Sequence, residues 1–202
     1  MIAGLIQLLT GVQGRWQGCE PNSRQRIYFA NHQSNLDAPV IWASLPPLLR
    51  AKTRPVAAKD YWEKGRLRQW LANDVFRVVL IERSGITVHN NPLTRTDEAL
   101  DAGSSLILFP EGTRQLAEDS GMNLFKPGLW HLARKHPEVE LIPVWLENLN
   151  RILPKGEFIP LPLLASVTFG APLRLEAGEN KPAFIARAQA AVAALEASGE
   201  VS

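Results

Sequence analysis

Residues 26–39 read RIYFANHQSNLDAP, an apolar segment that passes directly into a polar one. The apolar letters predict a short buried strand at residues 26–30, and the pattern that follows predicts a helix at residues 36–45. His32 and Asp37 lie in the turn between these two elements. The segment therefore predicts a histidine and a carboxylate at the point where a buried strand ends.

The same pattern, a short apolar strand followed by a helix, recurs along the chain. Further strands are predicted at residues 54–59, 75–82, 105–110, 139–147 and 166–173, and further helices at residues 61–73, 93–102, 126–136 and 182–195. Strands that alternate with helices favour an α/β fold, and nearly continuous apolar strands are typical of a sheet buried on both faces. We therefore expect a single α/β domain with a largely parallel central sheet covered by helices.

Length and composition agree with one globular domain. The chain has 202 residues, of which 46% are hydrophobic and 21% charged, enough to build a substantial core. Cys19 is the only cysteine. An intramolecular disulfide and a metal site built from cysteines are therefore excluded, and a reducing compartment is expected.

The first sixteen residues predict an amphipathic helix. Its apolar side chains recur at helical spacing on one face, at Ile2, Leu5, Ile6, Leu9 and Val12. The segment is too short to span a bilayer, which takes about 20 apolar residues. It is either an ordinary core helix or a helix in the membrane interface, with Arg15 and Trp16 at its polar edge. We favour the second interpretation, and divide the chain into an interface helix (1–16) and an α/β domain (17–202).

The net charge of +2 conceals an uneven distribution. Residues 1–84 hold 12 basic and 6 acidic side chains, whereas residues 85–202 hold 10 basic and 14 acidic ones. This asymmetry indicates either a basic face directed at an anionic partner, such as lipid headgroups, or an ordinary solvated surface.

Polar clusters follow three of the predicted strands. They lie at residues 31–32, 82–83 and 111–114. Ligands of open parallel sheets bind beyond the carboxyl ends of the strands, so we expect these clusters to converge on one site. Arg83 is then either a ligand for an anionic group or half of a surface ion pair.

The pair formed by His32 and Asp37 predicts acid–base chemistry. A histidine exchanges protons near neutral pH, and a carboxylate bonded to one ring nitrogen fixes its tautomer and stabilises the imidazolium. The spacing allows Asp37 to reach back to His32. The alternative is structural, with Asp37 capping a helix and His32 satisfied in a turn.

The segment FPEGTR (109–114) has the composition of a phosphate-binding turn. Gly112 permits close approach of the backbone, Thr113 adds a hydroxyl, and the guanidinium of Arg114 matches the geometry of a phosphate. Glu111 could hold Arg114 in position or accept a hydrogen bond from a substrate hydroxyl. A polar turn with a surface ion pair is the simpler alternative.

These residues also carry a resemblance to a known family. Four short blocks occur in order, namely Asn31-His32-x4-Asp37, Arg83 after an apolar strand, residues 109–114, and Ile142-Pro143-Val144. Together they resemble the blocks of the glycerolipid acyltransferases, above all the lysophospholipid (1-acylglycerol-3-phosphate) acyltransferases, and Lys126-Pro127-Gly128 resembles a further family feature. The second block departs from the pattern, because Phe76 and Arg77 stand near the point where many members have a glycine.

The resemblance implies transfer of a fatty acyl group from acyl-CoA or acyl carrier protein to the free hydroxyl of a lysophospholipid, most of all 1-acylglycerol-3-phosphate, in phospholipid biosynthesis. It implies that His32 and Asp37 are catalytic. It also implies a substrate-binding set of Arg83, Glu111, Gly112, Thr113, Arg114 and Lys126. No metal or other cofactor is expected, since a thioester is already activated. We expect a peripheral or monotopic protein at the cytoplasmic face of the membrane.

Two other classes of function stay open. The same His/Asp pair could serve a thioesterase or a lipid hydrolase, although no G-x-S-x-G nucleophile motif occurs. The chain could also be a non-enzymatic module that binds anionic lipid. A nucleic-acid partner is not expected, because zinc-ligand spacings, a ribonucleoprotein-type aromatic motif and a long Lys/Arg run are all absent from the sequence.

Overall fold

The computed structural model describes residues 2–82, 91–113, 122–149 and 165–199. The strands are β1 (Gln13–Trp16), β2 (Arg26–Ala30), β3 (Thr53–Ala58), β4 (Val79–Ile81), β5 (Ser105–Leu108), β6 (Glu140–Glu147) and β7 (Ser166–Phe169). The helices are α1 (Ile2–Thr10), α2 (Asp37–Ser44), α3 (Pro47–Arg50), α4 (Lys59–Trp62), α5 (Arg66–Trp70), α6 (Pro92–Asp101), α7 (Gly128–Lys135) and α8 (Lys181–Gly199). A π-helical segment, Leu71–Val75, follows α5.

The strands form one sheet in the order β1-β7-β6-β2-β5-β3-β4. The β6–β7 pair is antiparallel, and the other neighbouring pairs are parallel. The prediction of a single α/β domain with a largely parallel, helix-covered sheet is confirmed.

Alternate side chains of the central strands enter two different layers of the core. Ile27 and Phe29 of β2 belong to a cluster with residues of α6, α7 and α8. Tyr28 and Ala30 belong to a second cluster with residues of α2. Because both faces of the sheet are covered, its polar chemistry is confined to the strand ends.

Strands β2 and β5 end side by side. Phe29 pairs with Leu108 in a parallel register, so the segments that follow the two strands emerge at the same edge. We call this edge, defined by the carboxyl ends of β2, β3, β4 and β5, the carboxyl edge of the sheet.

The N-terminal segment differs from the predicted helix over residues 1–16. Helix α1 ends at Thr10, and Gly11 has a φ of 57°, a left-handed conformation that commonly ends helices. Residues 13–16 instead form β1, which pairs with β7, and Trp16 stacks on Phe169 with ring centroids 4.1 Å apart. The prediction that Arg15 and Trp16 edge an interface helix is therefore wrong, because these residues extend the sheet.

The segment between β3 and β4 is more broken than the predicted helix at 61–73 and strand at 75–82. Gly65, with a φ of 91°, separates α4 from α5. The π-helical segment continues α5 as far as Val75, the first residue of the predicted strand, and the observed strand is limited to Val79–Ile81. Arg77, near the point where resembling proteins have a glycine, has a φ of 49°, a conformation unusual for a residue with a side chain.

Among residues 2–82, 91–113, 122–149 and 165–199, none of the helices combines the length and the apolar character that crossing a membrane requires.

Candidate active site at the carboxyl edge

Asn31 anchors the chain where it leaves β2. Its side chain is buried, its Nδ2 donates to the carbonyl of Leu146 at 3.0 Å, and its Oδ1 accepts from the Leu146 amide at 2.8 Å. This two-way bond to β6 satisfies both groups of the side chain and fixes the start of the turn. The sequence indicates that Asn31 could satisfy backbone groups near the turn, but not that the partner lies on β6.

The turn brings His32 and Asp37 into direct contact. Nδ1 of His32 lies 2.8 Å from Oδ2 of Asp37, and the same oxygen accepts from the amides of Gln33 at 2.6 Å and Ser34 at 2.9 Å. The Asp37 side chain has an exposed fraction of 0%. Because Asp37 is acceptor-only when ionised, His32 donates from Nδ1, and the lone pair is then on Nε2.

Phe109 holds the plane of the histidine ring. The two rings stack with centroids 4.2 Å apart and an interplanar angle of 19°. The His32 side chain is 15% exposed, so it is packed yet reaches the surface of the site. The sequence places Phe109 in the predicted strand at 105–110 but does not indicate this ring contact, which depends on the adjacency of β2 and β5.

Glu111 joins two backbone segments. Its Oε1 accepts from the His32 amide at 2.8 Å, and its Oε2 accepts from the Asn123 amide at 2.9 Å. The residue is 2% exposed. Burial raises the pKa of Glu111, and the hydrogen bonds from the two amides partly oppose that rise.

Lys126 lies directly over Gly112. The lysine amide donates to the carbonyl of Pro110 at 2.8 Å, which holds the start of α7 against this turn. Gly112 has a φ of 72°, and a Cβ built there would lie 2.5 Å from Nζ of Lys126. The left-handed φ favours glycine here, and a residue with a side chain would also displace the ammonium end of Lys126. Thr113 follows this turn and is exposed.

The carboxyl edge therefore gathers six of the predicted site residues, namely His32, Asp37, Glu111, Gly112, Thr113 and Lys126. Arg83 and Arg114 lie outside the described residues, and their roles stay predictions, as do the catalytic and binding roles of the others. Within the described ranges, no three His, Cys, Asp or Glu side chains are grouped so that they could hold a metal ion.

The protein is an α/β domain with a contacting histidine and carboxylate, and a nearby lysine, at the carboxyl edge of its sheet. Comparison with known proteins identifies its family. The sequence model of the Acyltransferase family matches residues 17–147. The chain belongs to this family. The resemblance of its sequence blocks to glycerolipid acyltransferases is therefore confirmed.

Individual relatives agree with the family. The chain is 29% identical over 178 residues to a 1-acyl-sn-glycerol-3-phosphate acyltransferase from Limnanthes douglasii, an alignment that covers 87% of this chain and 60% of that protein. It is 27% identical over 169 residues to a protein named Taffazin from Dictyostelium discoideum, covering 78% of this chain and 55% of the relative. The chain thus spans a little over half the length of these relatives.

A solved structure shares the fold. The 1-acyl-sn-glycerophosphate acyltransferase PlsC from Thermotoga maritima superposes with a TM-score of 0.74, covering 99% of this chain and 80% of that chain. The two sequences are 20% identical.

Proposed function

We propose that this protein transfers a fatty acyl group from acyl-CoA or acyl carrier protein to the free hydroxyl of a lysophospholipid. The preferred acceptor is 1-acylglycerol-3-phosphate, and the product is phosphatidate. The observation that carries the proposal is the contact between His32 and Asp37, formed beside the turn that holds Lys126. The names of the relatives support the choice of acceptor.

The proposed reaction begins at Nε2 of His32, which takes the proton of the acceptor hydroxyl. The oxygen attacks the thioester carbonyl, forming a new C–O bond and a tetrahedral oxyanion. Collapse of this intermediate breaks the C–S bond, and the imidazolium returns its proton to the leaving thiolate. Asp37 stabilises the imidazolium between the two proton transfers. No metal or other cofactor takes part in the proposed reaction.

The acceptor phosphate is proposed to bind to cationic groups around the turn at Gly112. Lys126 supports this assignment because its ammonium group lies against that turn, on the same edge as His32. Arg83, Thr113 and Arg114 complete the proposed binding set. Glu111, whose oxygens already accept from backbone amides, is proposed to shape this set through the backbone.

The acceptor is a membrane lipid, so we propose that the protein works at the cytoplasmic face of a membrane as a peripheral or monotopic protein in phospholipid biosynthesis. Helix α1 supports this proposal, since Leu5, Leu8 and Leu9 are exposed on it. No nucleic-acid partner is part of the proposal.

A purified assay with several lysolipids and both thioester donors, read by mass spectrometry of the lipid products, tests the proposed reaction. His32→Ala should lower the transfer rate by about 10²- to 10⁴-fold, the usual contribution of a general base. His131→Ala is the matched control, because His131 is an exposed histidine on α7.

Near-normal transfer by the His32→Ala variant would exclude His32 as the base. Free fatty acid released at the same rate with and without the lysolipid would instead identify a thioesterase. Arg114→Ala should raise the KM for the acceptor with little change in kcat, if Arg114 binds the phosphate equally in the ground and transition states.

A further inference from the structure

Helix α5 presents two large apolar side chains to solvent. Leu67 is 68% exposed and Trp70 is 47% exposed, and their spacing of three residues puts them on one face of the helix. None of the residues of α5 is buried. We call the group Lys64, Arg66, Leu67, Arg68 and Trp70 the α5 surface; all of these residues are exposed except Arg68, which is half-buried.

The α5 surface belongs to the part of the molecule that carries the candidate site. Helix α4 begins at Lys59, directly after the carboxyl end of β3, and α5 follows it. Nζ of Lys59 lies 3.7 Å from Oε1 of Glu82, the residue after β4. The segment from α4 to α5 therefore starts at the carboxyl edge.

Helix α1 and the residues after α5 share one buried cluster. Ile6 of α1 and Leu71, the residue after Trp70, both pack against Trp62, Ala72, Phe76 and Val78. The exposed leucines of α1 and the α5 surface therefore flank the same small core. Two exposed apolar elements around one core are unusual for a surface that faces only water.

Basic side chains surround the apolar pair. Residues 59–70 contain four basic and two acidic side chains, and one of the acids, Glu63, lies 3.7 Å from Lys59. Lys64 and Arg66 are exposed, and the guanidinium of Arg68 lies 4.5 Å from the ring centroid of Tyr61. A tryptophan and a leucine bordered by lysine and arginine are typical of a segment in the membrane interface.

We propose that the α5 surface binds the headgroup region of an anionic bilayer, as a second contact in addition to α1. The inference rests on the proposed function. If the acceptor is a lipid, this second membrane contact would let it reach the carboxyl edge without leaving the membrane. A second copy of the chain is a less suitable occupant. In a two-fold contact the surface would face itself, and Lys64 and Arg66 would meet like charges.

Binding to vesicles tests the proposal without acyl donor or acceptor. Vesicles of phosphatidylcholine with phosphatidylglycerol are sedimented with the protein, and vesicles of phosphatidylcholine alone are the zwitterionic comparison. The double variant L67S/W70S should bind the anionic vesicles about tenfold more weakly, through loss of apolar burial in the interface. Arg66→Gln should weaken binding by about fivefold, with a smaller effect in high salt.

Leu48→Ser is the matched control. Leu48 is 83% exposed but lies on α3, which precedes the amino end of β3 at the opposite edge of the sheet. Its variant should bind like the unmodified protein. Leu67→Ser alone, at a mostly exposed position, gives a second variant whose fold is checked by circular dichroism.

Equal vesicle binding by L67S/W70S and the unmodified protein would overturn the proposal, as would equal binding to the two kinds of vesicle. A dimer that dissociates in L67S/W70S, seen by size-exclusion chromatography without a change in vesicle binding, would make a second copy the occupant and also overturn it. Acyl transfer measured in neutral detergent micelles separates the proposed function from the proposed membrane contact. If neither the unmodified protein nor any variant transfers acyl groups in micelles while vesicle binding follows the expected pattern, the proposed function fails and the α5 surface is supported.

Discussion

Oδ2 of Asp37 lies 2.8 Å from Nδ1 of His32 and accepts two backbone amides as well. One buried oxygen therefore fixes both the histidine ring and the turn that carries it. The amide donors belong to Gln33 and Ser34, which precede α2, so the carboxylate faces back toward the turn. These contacts are therefore not those of a helix cap, the alternative role considered for Asp37.

Asp37→Asn should lower kcat strongly and leave the KM for the acceptor nearly unchanged. The amide oxygen of asparagine could still accept from the turn, but the variant no longer stabilises an imidazolium or enforces the same tautomer. We expect a loss in kcat of about 10²- to 10⁴-fold, measured by steady-state kinetics with the acceptor varied.

Asp97→Asn is the control for this substitution, because Asp97 also contacts a histidine. Its Oδ1 lies 3.1 Å from Nε2 of His136, between α6 and α7 and apart from the turn at His32. This variant should lose stability but keep its kcat per folded molecule. A full kcat in Asp37→Asn would show that the contact with His32 is structural only.

Glu111→Gln should lower kcat more than it raises the KM for the acceptor. Glutamine has one acceptor oxygen, so its NH2 group would face the amide of either His32 or Asn123. A buried donor left without an acceptor costs about 1–3 kcal/mol, and the turn at His32 would shift to relieve it. Steady-state kinetics and thermal unfolding measure the two effects.

The opposite kinetic pattern would contradict this account of Glu111. If its carboxylate accepted from a hydroxyl of the acceptor, the substitution would act mainly on KM and leave stability nearly unchanged. The control is Glu98→Gln, in an exposed pair whose partner Arg95 lies 3.4 Å away, which should change neither activity nor stability measurably.

Gly112→Ala should raise the KM for the acceptor by about tenfold if Lys126 binds the phosphate. The new methyl group would lie 2.5 Å from the present position of Nζ of Lys126, so the lysine side chain must move. The backbone would also be strained by about 1–2 kcal/mol, since the φ of 72° is left-handed. Kinetics with the acceptor varied, together with urea unfolding, check both effects.

Gly178→Ala separates strain from displacement of the lysine. Gly178 has a φ of 77°, but a Cβ there would meet nothing within 4 Å. This control should lose similar stability and keep its KM. The Gly112→Ala and Lys126→Ala effects on KM should not add, because both substitutions remove the same ammonium from the same place. Additive effects would contradict the role proposed for Lys126.

The central part of the fold could be predicted because its signals are local. Strands β2 and β5 are short apolar segments, and the polar residues that follow each one, including His32 and Glu111, mark the carboxyl edge. Parallel pairing then brings the two strand ends together. The sequence, together with the adjacency of these two strands, is therefore enough to predict that His32 and Glu111 lie close together.

Other features depend on contacts that a linear sequence does not contain. Residues 13–16 become a strand because their backbone pairs with β7, from the far end of the chain. The amides of His32 and Asn123 reach Glu111 only once three segments have packed together. The unusual backbone at Arg77 was partly indicated by the sequence. Resembling proteins often have a glycine near this position, and Arg77 itself has a positive φ.

Glu140→Gln should destabilise the fold by about 3–5 kcal/mol at neutral pH, because it leaves the charge of Arg26 buried without its partner. Glu140 accepts from Nε of Arg26 at 3.0 Å and from Nη1 of Arg24 at 2.7 Å, and the Arg26 side chain is only 1% exposed.

The stability difference between Glu140→Gln and the unmodified protein should depend on pH. Burial alone would raise the pKa of Glu140, but the hydrogen bonds from Arg24 and Arg26 outweigh it and hold the pKa below the ordinary 4.5. The folded state then keeps the charge while the unfolded chain takes up a proton, so this stability is present above pH 4.5 and is lost as the pH falls toward the folded pKa. Urea unfolding over a pH series measures the difference, with Glu98→Gln as the exposed control. A difference that stays constant in acid would show that Glu140 acts through its shape and not through its charge.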